Sequence, residues 1–492
     1  MSQGHKPKYS SGKQSGGSGA IILGLVIVMA VLVAFSLGLR LLLGSSSSQS
    51  GQLAATTPVQ QEPEEPKQSL WSRLFGSKEE QTQPPPTQPE PEHVVSQATI
   101  AVTGDILMHM PVINTGLQSD GRYNFDSIFQ YLTPYSSGAD YSVANLETTL
   151  CGTDMGYKYS GYPAFNCPDE IVDALKNAGF DMLLTANNHC YDTSEYGFLR
   201  TVRTVRSKGL TALGTRESQS DTTYTIQEIN GIQVGMVCYT YEGQPDNPTA
   251  GTVYMNKNAL SANCAPLINS FLATQLDPFY MEVRQVLTQM KQSGAEATVM
   301  YIHWGNEYQT TPSTEQQQIA QQLCDLGFDV IVGGHPHVIQ PVSLLTSRLD
   351  PGHKTVCLYS TGNAVSNQRI QEMDLKTGHT EDGLLFRFTF SKYSDGTVYL
   401  EDADVLPCWV DMRAVDGGKQ YDIIPLDASI RDQWQTVFGL TEEAYANAQK
   451  SYSRTQALVG DGIAQVQDYL SAQKQQREAD YLAAVTPETQ AA

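Results

Sequence analysis

The stretch FDVIVGGHPHVIQP, Phe328–Pro341, decides how the chain is read. Val330-Ile331-Val332 is an apolar run of strand length. Gly333 and Gly334 follow it and let the backbone turn sharply, because glycine has no Cβ. Two histidines then stand one residue apart, His335 and His337, with Pro336 stiffening the pair. Imidazoles delivered at the end of a buried strand fall where open α/β sheets bind ligands, on the rim beyond the strands' carboxyl ends.

Five further segments repeat the pattern. ATIAV precedes Thr103-Gly104-Asp105, with His109 close behind. ADYSVA precedes Asn145-Leu146-Glu147. FDMLLTA precedes Asn187-Asn188-His189. EATVMYI precedes His303-Trp304-Gly305, with Glu307 two residues on. TVCLYS precedes Thr361-Gly362-Asn363. Between several of them lie helix-like stretches, PDEIVDALKNAG, EYGFLRTVRTVRSKG, DPFYMEVRQVLTQMKQSG and TEQQQIAQQLCDLG. Strand–helix alternation of this kind predicts an α/β domain. Asn230-Gly231 and Asp395-Gly396 sit between β-rich runs and predict hairpins, so the sheets are expected to be mixed.

The strand ends bring together Asp105, His109, Asn145, Glu147, Asn188, His189, His303, Glu307, His335 and His337, which include five of the nine histidines. Imidazole with carboxylate is the ligand set of Zn, Mn and Fe. The expectation is a divalent metal centre of one or two ions. A His-x-His pair on a tight loop can put one ring on a metal and the other on substrate or a second metal. In Asn188-His189 the amide can supply a carbonyl ligand and the imidazole a proton. Singly, each has an ordinary explanation: a Gly-Asp turn, a helix-capping Asn, a satisfied core histidine. Together, at matched strand ends, they point to one site.

The rest of the chain bounds its setting. A net charge of −21 argues against a nucleic-acid partner, which needs a basic face. Ala20 to Leu39 carries no charge and is long enough to span a bilayer. Lys6, Lys8 and Lys13 precede it, which keeps the N-terminus cytoplasmic and puts the body outside. A cleaved signal peptide is the alternative; the run is long for one, and no A-x-A site follows it. The expected layout is a cytoplasmic tail (1–19), a transmembrane anchor (20–43), a disordered Ser/Gln/Pro/Glu-rich linker (44–95), the α/β domain (96–412) and a C-terminal helical extension (413–492). The eight cysteines form no C-x-x-C pair, and Cys151 with Cys167 is the best candidate for a disulfide.

In this order, TGDILMH, NLETTL, ANNHCYD, IHWGNEY, GGHPHVIQP and STGNAVSNQ resemble the CapA (PgsA) family of poly-γ-glutamate capsule proteins, from about Thr99 to Gln368. That family in turn resembles the calcineurin-like metallophosphoesterases. The resemblance implies a four-layer α-β-β-α metallophosphoesterase-like sandwich, membrane-anchored and extracytoplasmic. It implies metal ligation through Asp105, Glu147, Asn188, His303, His335 and His337. His189, Glu307 and His109 are the candidate catalytic groups, and Asn145 and Asn363 complete the site. Ala364 stands where the family has a phenylalanine, and Glu147 or Asn145 stands where true metallophosphoesterases have a bridging aspartate. The implied substrate is an anionic envelope polymer or its precursor, acted on by a metal-dependent hydrolase, with membrane synthase subunits as partners. The rival expectations are a non-catalytic polymer-binding subunit of a synthase complex and a secreted metallophosphoesterase unrelated to capsule.

Overall fold

The computed structural model describes residues 93–415 and 418–485. The expected cytoplasmic tail and transmembrane anchor, and nearly all of the linker, lie outside them. Among the described residues no helix is long and apolar enough to cross a membrane.

The chain order is β1 (Val94–Ile106), α1 (Met110–Gly116), β2 (Tyr141–Leu146), α2 (Glu170–Asn177), β3 (Met182–Leu184), α3 (Ser194–Ser207) and β4 (Thr211–Leu213). Next come β5 (Tyr224–Ile229), β6 (Ile232–Tyr241), a hairpin of β7 (Tyr254–Met255) and β8 (Asn258–Ala259), β9 (Ser270–Phe271), α4 (Leu276–Gln292), β10 (Ala297–His303) and α5 (Thr314–Leu326). The remainder is β11 (Val330–Gly334), β12 (Ile339–Thr346), β13 (Lys354–Thr361), β14 (Asn363–Val365), β15 (Asp382–Tyr393), β16 (Val398–Val415), β17 (Gly418–Pro425) and α6 (Glu442–Val485).

Two mixed sheets result. One runs β17-β16-β15-β1-β2-β3-β4, with β14 also beside β1; the other runs β12-β13-β11-β10-β6-β5, with β9 beside β6. Strands β1 to β4 are mutually parallel, as are β6, β10, β11 and β13. The expected Asn230-Gly231 hairpin joins β5 to β6, with both turn residues at positive φ (50° and 81°). Asp395-Gly396 turns β15 into β16. Helix α5 begins on a capping box, Ser313 with Gln316, and ends on Gly327 at φ 98°.

The two-residue period of β1 shows how the layers stack. Ile100 and Val102 face the second sheet and pack with Val234, Met236, Val299 and Tyr301, all buried. Ala101, between them, faces outward onto Ile171 and Leu175 of α2. On the far side, Val237, Met300 and Ile331 meet Val283 and Leu287 of α4 and Ile319 and Leu323 of α5. The order of layers is helix, sheet, sheet, helix.

The C-terminal part differs from expectation. The boundary at 412 falls inside β16, and 418–425 is strand, paired with β16. Tyr421 and Ile423 alternate into the core of the first sheet, and that burial makes the segment a strand. Helix α6 packs on β16 and β12 and puts Val459, Ile463, Val466 and Leu470 into the inter-sheet core. Burial of each is worth about 1.5–3 kcal/mol. Gly462 lets it approach, since a Cβ there would stand 2.0 Å from the Val342 carbonyl oxygen. Arg454 then clasps the buried carboxylate of Asp382 with two bonds of 2.8 and 2.7 Å. All eight cysteines are free and buried. The Cys151–Cys167 disulfide is therefore absent. Asn166 Oδ1 accepts from the Cys151 N–H (2.8 Å) and Thr149 O from the Cys167 N–H (2.9 Å), so one side-chain and one backbone hydrogen bond close that loop.

Candidate metal centre

The two sheets face each other with their parallel strands ending at one rim. In the first sheet, Asp105 of β1 is in register with Asn145 of β2 on one side and Asn363 of β14 on the other. In the second, His303 of β10 is in register with Gly334 of β11. The sheets meet tightly here: a Cβ on Gly334 would lie 3.1 Å from Asp105 Oδ1 and 3.5 Å from His303 Nδ1. His335 and His337 then leave β11 with φ of 95° and 57°. A left-handed backbone at a non-glycine residue costs roughly 1–3 kcal/mol and collects at functional sites. Here it turns both rings inward, with centroids 5.8 Å apart and His335 4.9 Å from His303.

The centre consists of Asp105, Glu147, His303, His335 and His337, none more than 3% exposed. Asp105 accepts from Asn145 Nδ2 (2.7 Å), the His335 backbone N–H (3.3 Å) and His337 Nδ1 (3.2 Å). Glu147 Oε1 lies 3.5 Å from His303 Nε2 and 3.9 Å from His337 Nε2, without a hydrogen-bond partner. His335 Nδ1 is likewise buried and unpartnered. Burial tends to raise the Asp105 carboxyl, but the His337 hydrogen bond and the charges of His303 and His337 hold it below its ordinary value. Burial tends to strip the proton from His337, yet Glu147 and Asp105 push its pKa up to about 9. Burial drives His335 well below its ordinary value, reinforced by the neighbouring imidazoles.

A buried carboxylate oxygen and a buried imidazole nitrogen, both lacking partners and in one cluster, fit a cation. Among the described residues, three sets offer ligand atoms within 4.8 Å of one another: Glu147, His303 and His335; Glu307, His335 and His337; Asp105, Glu147 and His337. These nitrogen and oxygen donors suit a divalent ion of the Zn, Mn or Fe kind.

The remaining expected residues surround this centre. Asn188 Oδ1 lies 2.8 Å from His303 Nε2. His189 Nδ1 lies 2.7 Å from the carboxylate of Asp192. Asn145 Nδ2 is 3.4 Å from Glu147 Oε2, while its Oδ1 accepts from Asn187 Nδ2 (3.1 Å). Asn363 Oδ1 lies 3.2 Å from His337 Nδ1, and its Nδ2 is bound by the His337, Thr380 and Gln368 oxygens. Glu307 is exposed at the edge. His109 belongs to none of the three sets. It precedes α1, its Nδ1 accepts from the Asn367 N–H (3.3 Å), and burial with the His337 charge lowers its pKa to about 4.

Sequence reasoning passed over Asn187, Asp192, Tyr241 and Asn256. Asn187 and Asp192 lie within ANNHCYD, and the His189–Asp192 spacing of three was the available signal. Tyr241, whose ring packs 4.7 Å from that of His335, and Asn256, bonded to Asn188, come from segments that carry no site motif.

Facing mixed sheets flanked by helices, with a histidine–carboxylate cluster at the strand ends, define an α/β sandwich whose buried groups can hold a metal ion. Residues 99–368, which contain every residue of this cluster, match the bacterial capsule synthesis protein family PGA_cap, and the chain belongs to that family. It is 29% identical over 292 residues to the capsule biosynthesis protein CapA of Bacillus anthracis, covering 58% of this chain and 64% of that protein. It is 28% identical over 305 residues to the PGA biosynthesis protein CapA of Bacillus subtilis (strain 168), covering 61% of this chain and 70% of that protein. The chain thus spans under two thirds of the length of the first of these relatives.

Proposed function

We propose that the protein is a membrane-anchored, extracytoplasmic component in the synthesis, export or processing of an anionic capsule polymer, and that its rim site is a metal-dependent hydrolase centre with a metallophosphoesterase-like architecture. The polymer is poly-γ-glutamate by resemblance and by the name of the Bacillus subtilis relative, or a lipid-linked or phosphorylated precursor of it. The observation that carries the reading is the unpartnered Glu147 Oε1, fully buried between two imidazoles. One or two divalent ions would be held by Asp105, Glu147, Asn188, His303, His335 and His337. When bound, such an ion polarises a carbonyl or phosphoryl oxygen and acidifies water. The chain's own groups do the rest. Asp192 holds His189 with Nδ1 protonated, which leaves Nε2 to take and return a proton. Glu307, at the exposed edge, is the second proton carrier. Asp105 and Asn363 together orient His337. Anchoring rests on the uncharged Ala20–Leu39 stretch behind three lysines, and membrane synthase subunits are the corresponding partners.

A second reading, a polymer-binding subunit without turnover, draws on the depth of the centre, where Asp105 and Glu147 have no exposed surface. The test uses the full-length chain purified in detergent, with bound metal quantified. Phosphodiesters and poly-γ-glutamate are then assayed with and without chelator. Chelator-sensitive turnover, abolished by His303→Ala and His335→Ala, is the expected result. Absence of both metal and turnover would sink the hydrolase reading. Metal without turnover would leave the binding subunit.

A further inference from the structure

We infer that Asn256, at the tip of the β7–β8 hairpin, is a positioning residue that fixes the Asn188 amide for the metal centre; the inference rests on the proposed metal site. Asn256 and Lys257 form the two-residue turn of that hairpin, with φ of 44° and 66°. Two successive left-handed residues favour Asn, Asp or Gly. The turn is held against the site. The Lys257 N–H donates to Gly243 O (2.7 Å), just beyond β6, and Met255 is fully buried in the inter-sheet core.

Both ends of the Asn256 amide are engaged. Oδ1 accepts from Asn188 Nδ2 at 3.2 Å. Nδ2 lies 3.1 Å from His189 Nδ1 and 3.4 Å from Nε2. The Asp192 carboxylate accepts the Nδ1–H at 2.7 Å, and the NH2 end of the Asn256 amide packs against the His189 ring. His189 therefore sets which way the Asn256 amide faces, and Asn256 sets the Asn188 amide. Only the NH2 end of Asn188 can donate to Asn256 Oδ1, so Asn188 Oδ1 is turned to His303 Nε2, 2.8 Å away. A flipped Asn188 would set its oxygen against Asn256 Oδ1 and present two N–H donors to the metal face. The turn alone would be served equally well by glycine. An asparagine there uses both its donor and its acceptor on the site.

The experiment exploits that difference. Asn256→Gly keeps the turn, because glycine adopts positive φ without strain, and removes the amide. Asn256→Asp keeps the turn and an acceptor for Asn188. Wild type and both variants, as full-length purified protein, are melted without metal and titrated with Mn²⁺ and Zn²⁺ against a chromogenic chelator. Groups that orient a ligand typically contribute about 10–100-fold to metal affinity. The expected result is an unchanged metal-free melting point in both variants, affinity about 10–100-fold weaker in Asn256→Gly, and recovery of most of it in Asn256→Asp. Wild-type affinity in Asn256→Gly overturns the inference, because Asn256 then only shapes the turn. A large fall in its metal-free melting point also overturns it, by making Asn256 a fold residue. A wild-type chain that takes up no metal overturns the metal-site reading itself, and this inference with it.

Discussion

Glu147→Gln separates a metal ligand from a structural carboxylate. The substitution is isosteric and removes one charge from a side chain with no exposed surface. Oε1 has no donor to lose, because none bonds it. Its neighbours are His303 Nε2 at 3.5 Å and His337 Nε2 at 3.9 Å, so the loss falls on any cation held with them. Groups that merely orient a ligand are worth about 10–100-fold in affinity, so about 100-fold is a lower bound for a direct ligand. At a metal concentration of about 100 Kd, binding stabilises the wild type by about 2.7 kcal/mol. After a 100-fold loss, the same concentration stabilises the variant by about 0.4 kcal/mol. At about 2.1 cal/mol/K per residue over a folded body of about 390 residues, 1 kcal/mol shifts Tm by about 1.2 °C. Scanning calorimetry with and without Mn²⁺ should therefore show a shift of about 3 °C in the wild type and about 0.5 °C in the variant. An undiminished shift in Glu147→Gln would refute the assignment of this carboxylate to the metal.

Other perturbations follow from the same geometry. Because His337 holds a proton with a pKa near 9, metal binding at pH 7 should release it, and calorimetry in buffers of different ionisation enthalpy should show an uptake of protons by the buffer. In the metal-free protein, His335 and His109 refuse protons that the unfolded chain accepts, so their contribution makes stability fall as pH drops below about 6.5. His337 acts oppositely: its stabilisation is complete below about 6.5 and lost as pH rises through 9. Urea midpoints measured in chelator should peak near pH 6.5, and His337→Asn should remove the alkaline decline. Gly333→Ala would place a Cβ 2.1 Å from the Tyr359 carbonyl oxygen and 2.4 Å from Trp304 Nε1, and should cost about 3 kcal/mol or more by urea denaturation. Arg454→Ala strands the buried Asp382 carboxylate and should cost about 3–5 kcal/mol, part of which Asp382→Asn restores in the double variant.

The amino-acid sequence by itself determined the elements and the ends on which the chemistry sits. Strand and helix periods, Asn-Gly and Asp-Gly turns and glycine helix stops are local signals, and the four expected helices and both hairpins stand where those signals lie. The polar clusters at strand ends were legible for the same reason, since each motif is a few residues long. The anchor expected at 20–43 falls outside the described residues.

Only the tertiary structure decided which of these groups meet. Asp105 and His337 are 232 residues apart, and Asn188 and His303 are 115, so their contacts depend on how two sheets face each other. The same packing leaves His109 out of the ligand sets and brings in Asn256 from a hairpin that carries no site motif. It also makes the expected C-terminal helical extension a wall of the core, because α6 gains burial only against sheets formed by distant segments. Local composition sets what a side chain can bind. The packing of the sheets sets what it binds beside.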